Sequence, residues 1–189
     1  TTKHTIYDGY GKAINGNSGW FCNKRTYNKQ GKILSNEYYD KEGKLAEDKS
    51  DEYAKATYLW DENGNNTEVK YFNKANKCKR IERMKYNKQN RQIELVILDA
   101  AGNRDDQYGF SKRITIYEKS GVVPVKREWY DKNNRLLATS AYDKSKQDWE
   151  EMKLTSYART AQWQSDWYEL ANQCPATIEE GIIMQSVRI

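Results

Sequence analysis

One pattern of apolar and polar positions recurs along this chain. A large apolar residue, usually aromatic, is followed by Asp, Asn or Glu, then by two mostly polar residues, then by Gly or Asn. The stretch Tyr39–Leu45 is a representative copy. An Asp or Asn at the first corner of a type I turn accepts hydrogen bonds from the backbone that follows, and Gly or Asn tolerates the left-handed conformation that ends the turn. The pattern therefore predicts a three-residue β-hairpin loop closed by a bulge.

Nine copies of this turn lie between residues 7 and 142. They begin at Tyr7, Tyr27, Tyr39, Trp60, Phe72, Tyr86, Leu98, Tyr117 and Tyr130, and their spacings are 20, 12, 21, 12, 14, 12, 19 and 13 residues. Regular spacing of this kind marks an internal repeat. It predicts a mainly β fold, a long antiparallel meander of about ten strands, and it allows an open, single-layer sheet.

The loop geometry predicts which residues pair across each hairpin. The first residue of each copy should face the residue six positions later, giving the pairs Tyr7/Ala13, Tyr27/Ile33, Tyr39/Leu45, Phe72/Cys78, Tyr117/Val123 and Tyr130/Leu136. Such cross-strand pairs contribute about 0.2–1 kcal/mol each and help to fix the register. Since spacings of 12 and 14 are even, we expect the first residues of successive copies to form an aromatic ladder on one side of the sheet.

The long intervals between copies leave two alternatives open. Each holds either one long bent strand or an additional hairpin. One of them contains the polar segment 47–52, another contains the segment 104–107, and the odd spacing before Tyr130 contains Pro124, which suits an edge or a bulge.

The repeat ends after Tyr142. The segment Trp149–Ala171 has apolar residues at helical spacing and predicts one helix or two, whereas Gly181–Ile189 predicts a short final strand. We therefore expect a hairpin-repeat meander over residues 1–142 and a C-terminal cap over residues 143–189 that packs on it, within a single domain. Repeat sheets need such caps for solubility.

Composition limits the possible classes of protein. Hydrophobic residues make up only 37%, but the 15 Tyr and 6 Trp residues are too many for a disordered chain. The net charge of +5 comes from 32 basic and 27 acidic residues, so the two signs nearly balance. A dedicated nucleic-acid binder would usually have a denser basic stripe. The three cysteines, Cys22, Cys78 and Cys174, are widely separated. One disulfide with a leftover thiol and three free thiols are equally compatible with that spacing.

The residues that usually perform catalysis do not form a recognisable motif. His4 is the only histidine and has no partner motif nearby. The segment 61–66 superficially resembles a calcium loop, but its glycine stands at the fourth position instead of the sixth. No glycine-rich loop links a strand to a helix as a phosphate site requires. We therefore expect a protein that is not an enzyme and that binds neither a cofactor nor a metal.

Binding residues are expected on the opposite side from the predicted ladder. By strict alternation, the residue before each turn points away from the ladder. The apolar members of this set include Tyr38, Leu59, Tyr71 and Trp129. If the cap covers only one face, these four form an exposed patch, and such patches mark interaction sites. The alternative is that they line a second buried face or stiffen a single-layer sheet.

Two stretches carry a resemblance to a known family. Tyr39–Leu45 (YDKEGKL) and Tyr130–Leu136 (YDKNNRL) resemble the YD repeats of bacterial Rhs-like proteins and the related hairpin repeats of small exported bacterial proteins built as open β-meanders. The resemblance covers about residues 7–142. It implies a cell-envelope or secreted protein with a binding or encapsulating role. A second likeness, to choline-binding cell-wall repeats, rests on Gly19-Trp20 and on Glu37-Tyr38-Tyr39. Those repeats use recurring Gly-Trp pairs, whereas this sequence has one.

Three hypotheses of function follow. The first is an exported, non-enzymatic bacterial protein that binds a partner protein or a glycan at the cell envelope through Tyr38, Leu59, Tyr71 and Trp129. The second is an intracellular antitoxin or immunity-type protein that covers a toxin. The third is polyanion or nucleic-acid binding by the turn lysines, which are Lys29, Lys41, Lys74, Lys88, Lys119 and Lys132.

Export is expected although this chain carries no signal segment, because Thr1 suggests a processed chain. No stretch is long and apolar enough to span a membrane.

Overall fold

The computed structural model describes residues 1–160, and nearly all regular structure in them is β-strand. The strands are β1 (Thr2–Thr5), β2 (Cys22–Tyr27), β3 (Ile33–Tyr39), β4 (Lys55–Trp60), β5 (Asn66–Phe72), β6 (Cys78–Tyr86), β7 (Gln92–Leu98), β8 (Lys112–Tyr117), β9 (Pro124–Tyr130), β10 (Leu136–Asp143), β11 (Asp148–Trp149) and β12 (Lys153–Leu154). A short helix, α1 (Ser156–Thr160), follows.

The strands pair in the order in which they occur in the chain. Within residues 1–160 they form one sheet that runs from β1 to β11, and β12 pairs with β10. Neighbouring strands pair antiparallel, as β2 does with β3 and β8 with β9. The predicted mainly β, open antiparallel meander is confirmed.

All nine predicted turns contain the predicted left-handed residue. The fifth residue of every copy has a positive φ between 57° and 88°: Gly11, Gly31, Gly43, Gly64, Asn76, Asn90, Gly102, Gly121 and Asn134. Gly43 N–H bonds Asp40 C=O at 3.0 Å, and Asp40 N–H bonds Lys44 C=O at 2.8 Å. Glycine has no Cβ to clash in this conformation and Asn tolerates it, so the choice of residue decides where the chain turns.

In eight copies the Asp or Asn side chain stabilises the turn. Its Oδ1 accepts the backbone N–H four residues later, as in Asp40 with Lys44 at 2.8 Å and Asn73 with Lys77 at 3.0 Å. The ninth copy has Glu118 at this position, and its backbone N–H bonds Val123 C=O, one residue later than in the others. Tyr117 consequently pairs with Pro124, so the predicted pair Tyr117/Val123 is wrong.

The other predicted pairs are confirmed wherever the described register includes them, as for Tyr7 with Ala13 and Tyr130 with Leu136. However, a second bulge follows the turn in four hairpins. The extra residues, which the register leaves without an opposite partner, are Leu34, Thr67, Val125 and Leu137. One extra residue exchanges the two faces of a strand.

The predicted one-sided ladder is therefore wrong. Cys22 pairs with Tyr39, and Tyr27 lies five residues from Cys22 on the same strand, so Tyr27 and Tyr39 point to opposite sides.

Each long interval contains a second turn. An additional hairpin, and not one long bent strand, is therefore the correct alternative. After the first hairpin, Ala46 N–H bonds Tyr38 C=O, and the chain then turns again so that Tyr38 N–H bonds Ala54 C=O. Ile6 and Ile97 are bonded on both sides in the same way. The second turns end in Trp20, Tyr53 and Phe110, each directly after a residue with positive φ, namely Gly19, Glu52 and Gly109.

By their internal contacts the described residues divide into two compact units, residues 1–81 and residues 82–160. The buried apolar residues of the first unit are Cys22, Tyr38, Tyr53, Ala54, Ala56, Val69 and Ile81. The core of the second unit consists of Leu95, Ile97, Phe110, Trp129, Leu137, Ala138, Met152 and Ala158.

The predicted helix from Trp149 is wrong over its first turns. Residues 153–154 form β12, in which Leu154 pairs with Ala138, and helix α1 begins only at Ser156. Met152 is buried and Lys153 is exposed, which is the alternation of a strand and not of a helix. This segment forms a strand because it can pair with β10. The rest of the predicted helix, the predicted strand Gly181–Ile189 and Cys174 lie outside the described residues. Cys22 and Cys78 are free thiols.

Candidate functional site

The four residues predicted to bind a partner occupy three different environments. Tyr38 and Trp129 are buried, with 6% and 8% of their surface exposed, and Tyr71 is half-buried. Leu59 is 59% exposed. The four do not form a single exposed patch.

Strand register separates Leu59 from Tyr38 and Tyr71. Ala56 pairs with both Asn36 and Tyr71, which puts Tyr71 on the same side as Tyr38. Leu59 lies three residues from Ala56 on β4 and therefore points to the other side. We call the side of the first unit with Asn23, Asn36, Tyr38, Ala56 and Tyr71 the Tyr38 face. The opposite side, with Glu37, Tyr39, Lys55, Thr57, Leu59, Glu68, Lys70 and Phe72, is the Glu37 face.

Stacked aromatic rings fill the Tyr38 face. The ring centroid of Tyr38 lies 5.4 Å from that of Trp20 and 5.6 Å from that of Tyr53. Tyr53 in turn lies 5.3 Å from Tyr71, and the Arg80 guanidinium lies 4.2 Å from the Tyr71 centroid. Trp20 and Tyr53 come from the second turns, which fold over this face. Tyr38 is therefore a packing residue of the first unit.

Hydrogen bonds connect the same rings to polar side chains. The Tyr38 hydroxyl donates to Asp51 Oδ2 at 2.7 Å, and Asn36 Nδ2 donates to the hydroxyls of Tyr38 and Tyr53 at 3.1 and 3.0 Å. Burial raises the pKa of Tyr38 well above its usual range, and the hydrogen bond to Asp51 raises it further. The Tyr38 hydroxyl therefore stays protonated and serves as the donor that ties the second turn to the sheet.

Asp48 anchors the base of the second turn between β3 and β4. Its Oδ1 accepts the backbone N–H groups of Ser50 and Asp51 at 2.7 and 2.9 Å, and its Oδ2 accepts the indole N–H of Trp20 at 2.5 Å. Asp48 is buried, and these bonds offset the cost of its desolvation. Gly19-Trp20 thus closes a second turn, as Gly109-Phe110 does, so its place in the fold is structural.

The Glu37 face of the first unit carries charged and aromatic side chains, most of them half-buried. Glu37 pairs with Lys55 across β3 and β4, and Lys55 pairs with Phe72 across β4 and β5. The Lys55 ammonium lies 3.4 Å from a carboxylate oxygen of Glu37 and 5.8 Å from the Phe72 ring centroid. A second ion pair, Lys70 with Glu68 at 3.2 Å, follows on β5. Acidic, basic and aromatic groups therefore alternate across this surface.

Leu59 stands at the end of this charged surface on a central strand. Its strand β4 is flanked by β3 and β5, and Leu59 lies opposite Glu68 in the register. A side chain on a central strand is usually covered when its face packs against another layer. At 59% exposure, Leu59 shows that this part of the face is uncovered by the described residues.

A tyrosine–carboxylate pair occurs on each unit. The Tyr39 hydroxyl donates to Glu37 at 2.6 Å, and in the second unit the Tyr130 hydroxyl donates to Glu128 at 2.6 Å. Burial, and then the hydrogen bonds to the neighbouring carboxylates, together raise the pKa of Tyr39 and of Tyr130 to about 12. Lys126 pairs with Glu128 at 2.8 Å, as Lys55 pairs with Glu37. The likeness follows from the sequences Glu37-Tyr38-Tyr39-Asp40 and Glu128-Trp129-Tyr130-Asp131.

Two of the turn lysines lie close to acidic side chains. Lys41 lies 3.6 Å from Glu42, and Lys132 lies 3.7 Å from Asp106. These exposed pairs contribute about 0–1 kcal/mol each to stability.

Sequence reasoning missed the aromatic residues of the second turns, Trp20, Tyr53 and Phe110. A signal was present, because each aromatic follows the first residue of a turn copy by 12–14 positions. In two of the three cases a glycine directly precedes the aromatic, and only Glu52 breaks that pattern.

Across residues 1–160 no three His, Cys, Asp or Glu side chains are grouped as metal ligands. No helix in the same part of the chain has the length and apolar character needed to cross a membrane.

Comparisons with known proteins give low similarity. No protein-family model and no curated protein matches this chain. The solved complex TcdB2-TccC3-Cdc42 is similar over 81% of this chain, with 11% identity and a TM-score of 0.40, and this chain spans 9% of the length of that chain. A protein of unknown function from Bacteroides fragilis NCTC 9343 is similar over 72% of this chain and 92% of its own, with 14% identity and a TM-score of 0.18. At these scores neither likeness carries an argument.

Proposed function

We propose that this protein is a non-enzymatic binding protein that recognises a partner protein through the Glu37 face of its first unit. The observation that carries the proposal is the exposure of Leu59 on a central strand, beside a surface of alternating charges and aromatic rings. Apolar and aromatic anchors supply most of the affinity in protein interfaces, and surrounding charges set orientation and specificity.

The surface chemistry favours a protein over a glycan as the partner. Both carboxylates of this face, Glu37 and Glu68, are already engaged by lysines, and Glu37 also accepts the Tyr39 hydroxyl. A partner with its own alternating charges can exchange ion pairs with this surface at little cost. A sugar would have to displace these pairs with neutral hydroxyl groups, which compensate buried charge poorly.

We also propose a compartment for this protein, the bacterial cell envelope, on the basis of its resemblance to YD-repeat proteins. The turn motif shared with YD-repeat proteins over about residues 7–142 supports an exported bacterial protein that acts at the cell envelope. Fractionation of the native cells with an antibody to this chain tests the compartment. Recovery in the cytoplasm would favour the antitoxin or immunity-type alternative, with the same face covering a toxin.

Site-specific photo-crosslinking tests the binding face. A photoreactive amino acid at position 59 should give a discrete crosslinked protein in extracts of the native organism. The matched control is the same group at Val122, which is 46% exposed but lies in a turn of the second unit. Lys55→Glu should abolish the crosslink from position 59, because it replaces the Glu37–Lys55 ion pair with two like charges.

Three results would contradict the proposal. Identical products from positions 59 and 122, or products that Lys55→Glu leaves unchanged, would exclude the Glu37 face as a specific site. Retention on a glycan array that is lost in Leu59→Asp, without a crosslinked protein, would replace the protein partner with a sugar.

A further inference from the structure

Two cations of the second unit converge on one neutral oxygen. Arg104 Nη1 donates to the side-chain Oδ1 of Asn134 at 3.1 Å, and Lys112 Nζ donates to the same oxygen. Arg104 is the residue that pairs with Leu98 across the turn after β7. Lys112 is the first residue of β8, and Asn134 ends the turn between β9 and β10. An amide oxygen carries only a partial charge, so it neutralises neither cation.

Lys112 is held in an unusual position for a lysine. Only 7% of its surface is exposed, and its ammonium lies 4.1 Å from the Tyr130 ring centroid. Within the described residues, neither Lys112 nor Arg104 has a carboxylate within ion-pair distance. A buried lysine is ordinarily paired with an acid, because the desolvated charge is costly. This site therefore places a desolvated cation and a second cation together without a counter-ion from the described chain.

The nearby carboxylates are already committed to other cations. Glu94 pairs with Lys85 at 2.7 Å. Glu128 pairs with Lys126 at 2.8 Å and accepts the Tyr130 hydroxyl at 2.6 Å. Burial, and then the nearby Arg104, lowers the pKa of Lys112, which is the direction expected of an under-neutralised cation.

We propose that Arg104 and Lys112 form a binding site for a tetrahedral oxyanion, a phosphate or sulfate group, whose charged oxygen takes the position of Asn134 Oδ1. Arginine offers a planar pair of N–H donors to such a group, and lysine offers a point charge. Asn134 is exposed and has a φ of 64° in the turn, so its side chain can swing aside while the backbone keeps its conformation. The site is independent of the Glu37 face and belongs to the second unit alone.

Titration of the full chain with sodium sulfate and sodium phosphate, at ionic strength held constant with sodium chloride, tests the site. The readout is the shift of backbone amide NMR signals. We expect saturable shifts at Arg104, Lys112 and Asn134, and none at the equivalent turn residue Asn76 of the first unit. Two further titrations use phenyl phosphate and phenyl sulfate in place of the free anions. Binding of either monoester supports the proposal and shows whether the site prefers a free anion or one attached to a larger molecule.

Three variants separate this site from general salt effects. Arg104→Gln and Lys112→Met should each weaken anion binding at least about tenfold, since each removes a charge-assisted hydrogen bond. Arg104→Gln changes a half-buried residue and so keeps the test valid if Lys112→Met fails to fold. Asn134→Gly should bind the anion as well as the native chain or more tightly, because glycine occupies this position in six of the nine turns and removes the competing oxygen.

The proposal is overturned if chloride produces the same shifts, or if none of the four anions saturates. Loss of binding in Asn134→Gly would also overturn it, because the anion would then depend on the amide that it is meant to replace.

Discussion

The Tyr38 hydroxyl donates a hydrogen bond to Asp51 Oδ2 at 2.7 Å, which ties a central strand of the first unit to the second turn that covers it. This relationship explains why a residue predicted to bind a partner is buried. The turn residues 48–53 lie over the sheet and supply both the acceptor, Asp51, and a stacked ring, Tyr53.

Tyr38→Phe should destabilise the first unit by about 1.5–3 kcal/mol, because it removes a hydrogen bond to a charged acceptor in a buried position. The free energy of unfolding from urea denaturation measures the loss. The matched control is Tyr10→Phe, since Tyr10 is 98% exposed and its hydroxyl faces water. Equal effects of the two substitutions would show that the Asp51 bond contributes nothing.

Trp129→Ala should cost about 3–5 kcal/mol, because Trp129 belongs to the core of the second unit and its removal leaves a cavity. Leu59→Ala should change the free energy of unfolding by no more than about 0.5 kcal/mol, as expected of an exposed side chain. Thermal denaturation of the two variants distinguishes these roles. A large loss of stability in Leu59→Ala would show that the Glu37 face is covered.

Gly43→Ala should destabilise the chain by about 1–2 kcal/mol for a purely conformational reason. Gly43 has a φ of 80°, and a Cβ built there would meet no atom within 4 Å. The penalty therefore comes from the left-handed backbone alone. Asn76→Gly, at the equivalent turn position with a φ of 57°, is the control and should stay within about 0.5 kcal/mol of the native stability.

Alkaline pH should destabilise the protein through its paired tyrosines. The pKa of Tyr39 and Tyr130 rises from 10.0 to about 12 on folding, so the unfolded chain loses these protons first. Their contribution is intact below pH 10 and is lost as the pH rises toward 12. Unfolding at several pH values should show a shallower alkaline slope in the double variant Tyr39→Phe/Tyr130→Phe. An unchanged slope would refute the shift.

Acidic pH should weaken the turn that begins at Leu98. The pKa of Asp99 is lowered below its usual 3.8, mainly because its carboxylate accepts a hydrogen bond from the backbone N–H of Asn103. The stabilising bond is therefore present above pH 3.8 and is lost as the pH falls through the lowered pKa. Asp99→Asn should keep the turn and remove this pH dependence, since Asn serves at the same position in three other turns. Asp99→Ala should instead reduce stability at every pH tested.

Much of the fold was readable from the sequence because it is decided locally. The acceptor that closes the turn at Asp40 and the left-handed residue Gly43 lie within one five-residue stretch, and copies of that stretch set the order of strands. The candidate site was only partly readable. Leu59 was predicted to share an exposed patch with Tyr38 and Trp129 if the cap covered only one face, but Leu59 is exposed whereas Tyr38 and Trp129 are buried.

The sequence by itself determined where the chain turns, that the strands are antiparallel neighbours, and most of the pairs beside the turns. Only the tertiary structure decided which side of the sheet each residue faces. The reason is that a single unpaired residue, such as Leu34 or Thr67, reverses the alternation of everything beyond it. Hydrogen bonds between neighbouring strands select that residue, and contacts such as Trp20 on Tyr38 join positions that are far apart in the chain.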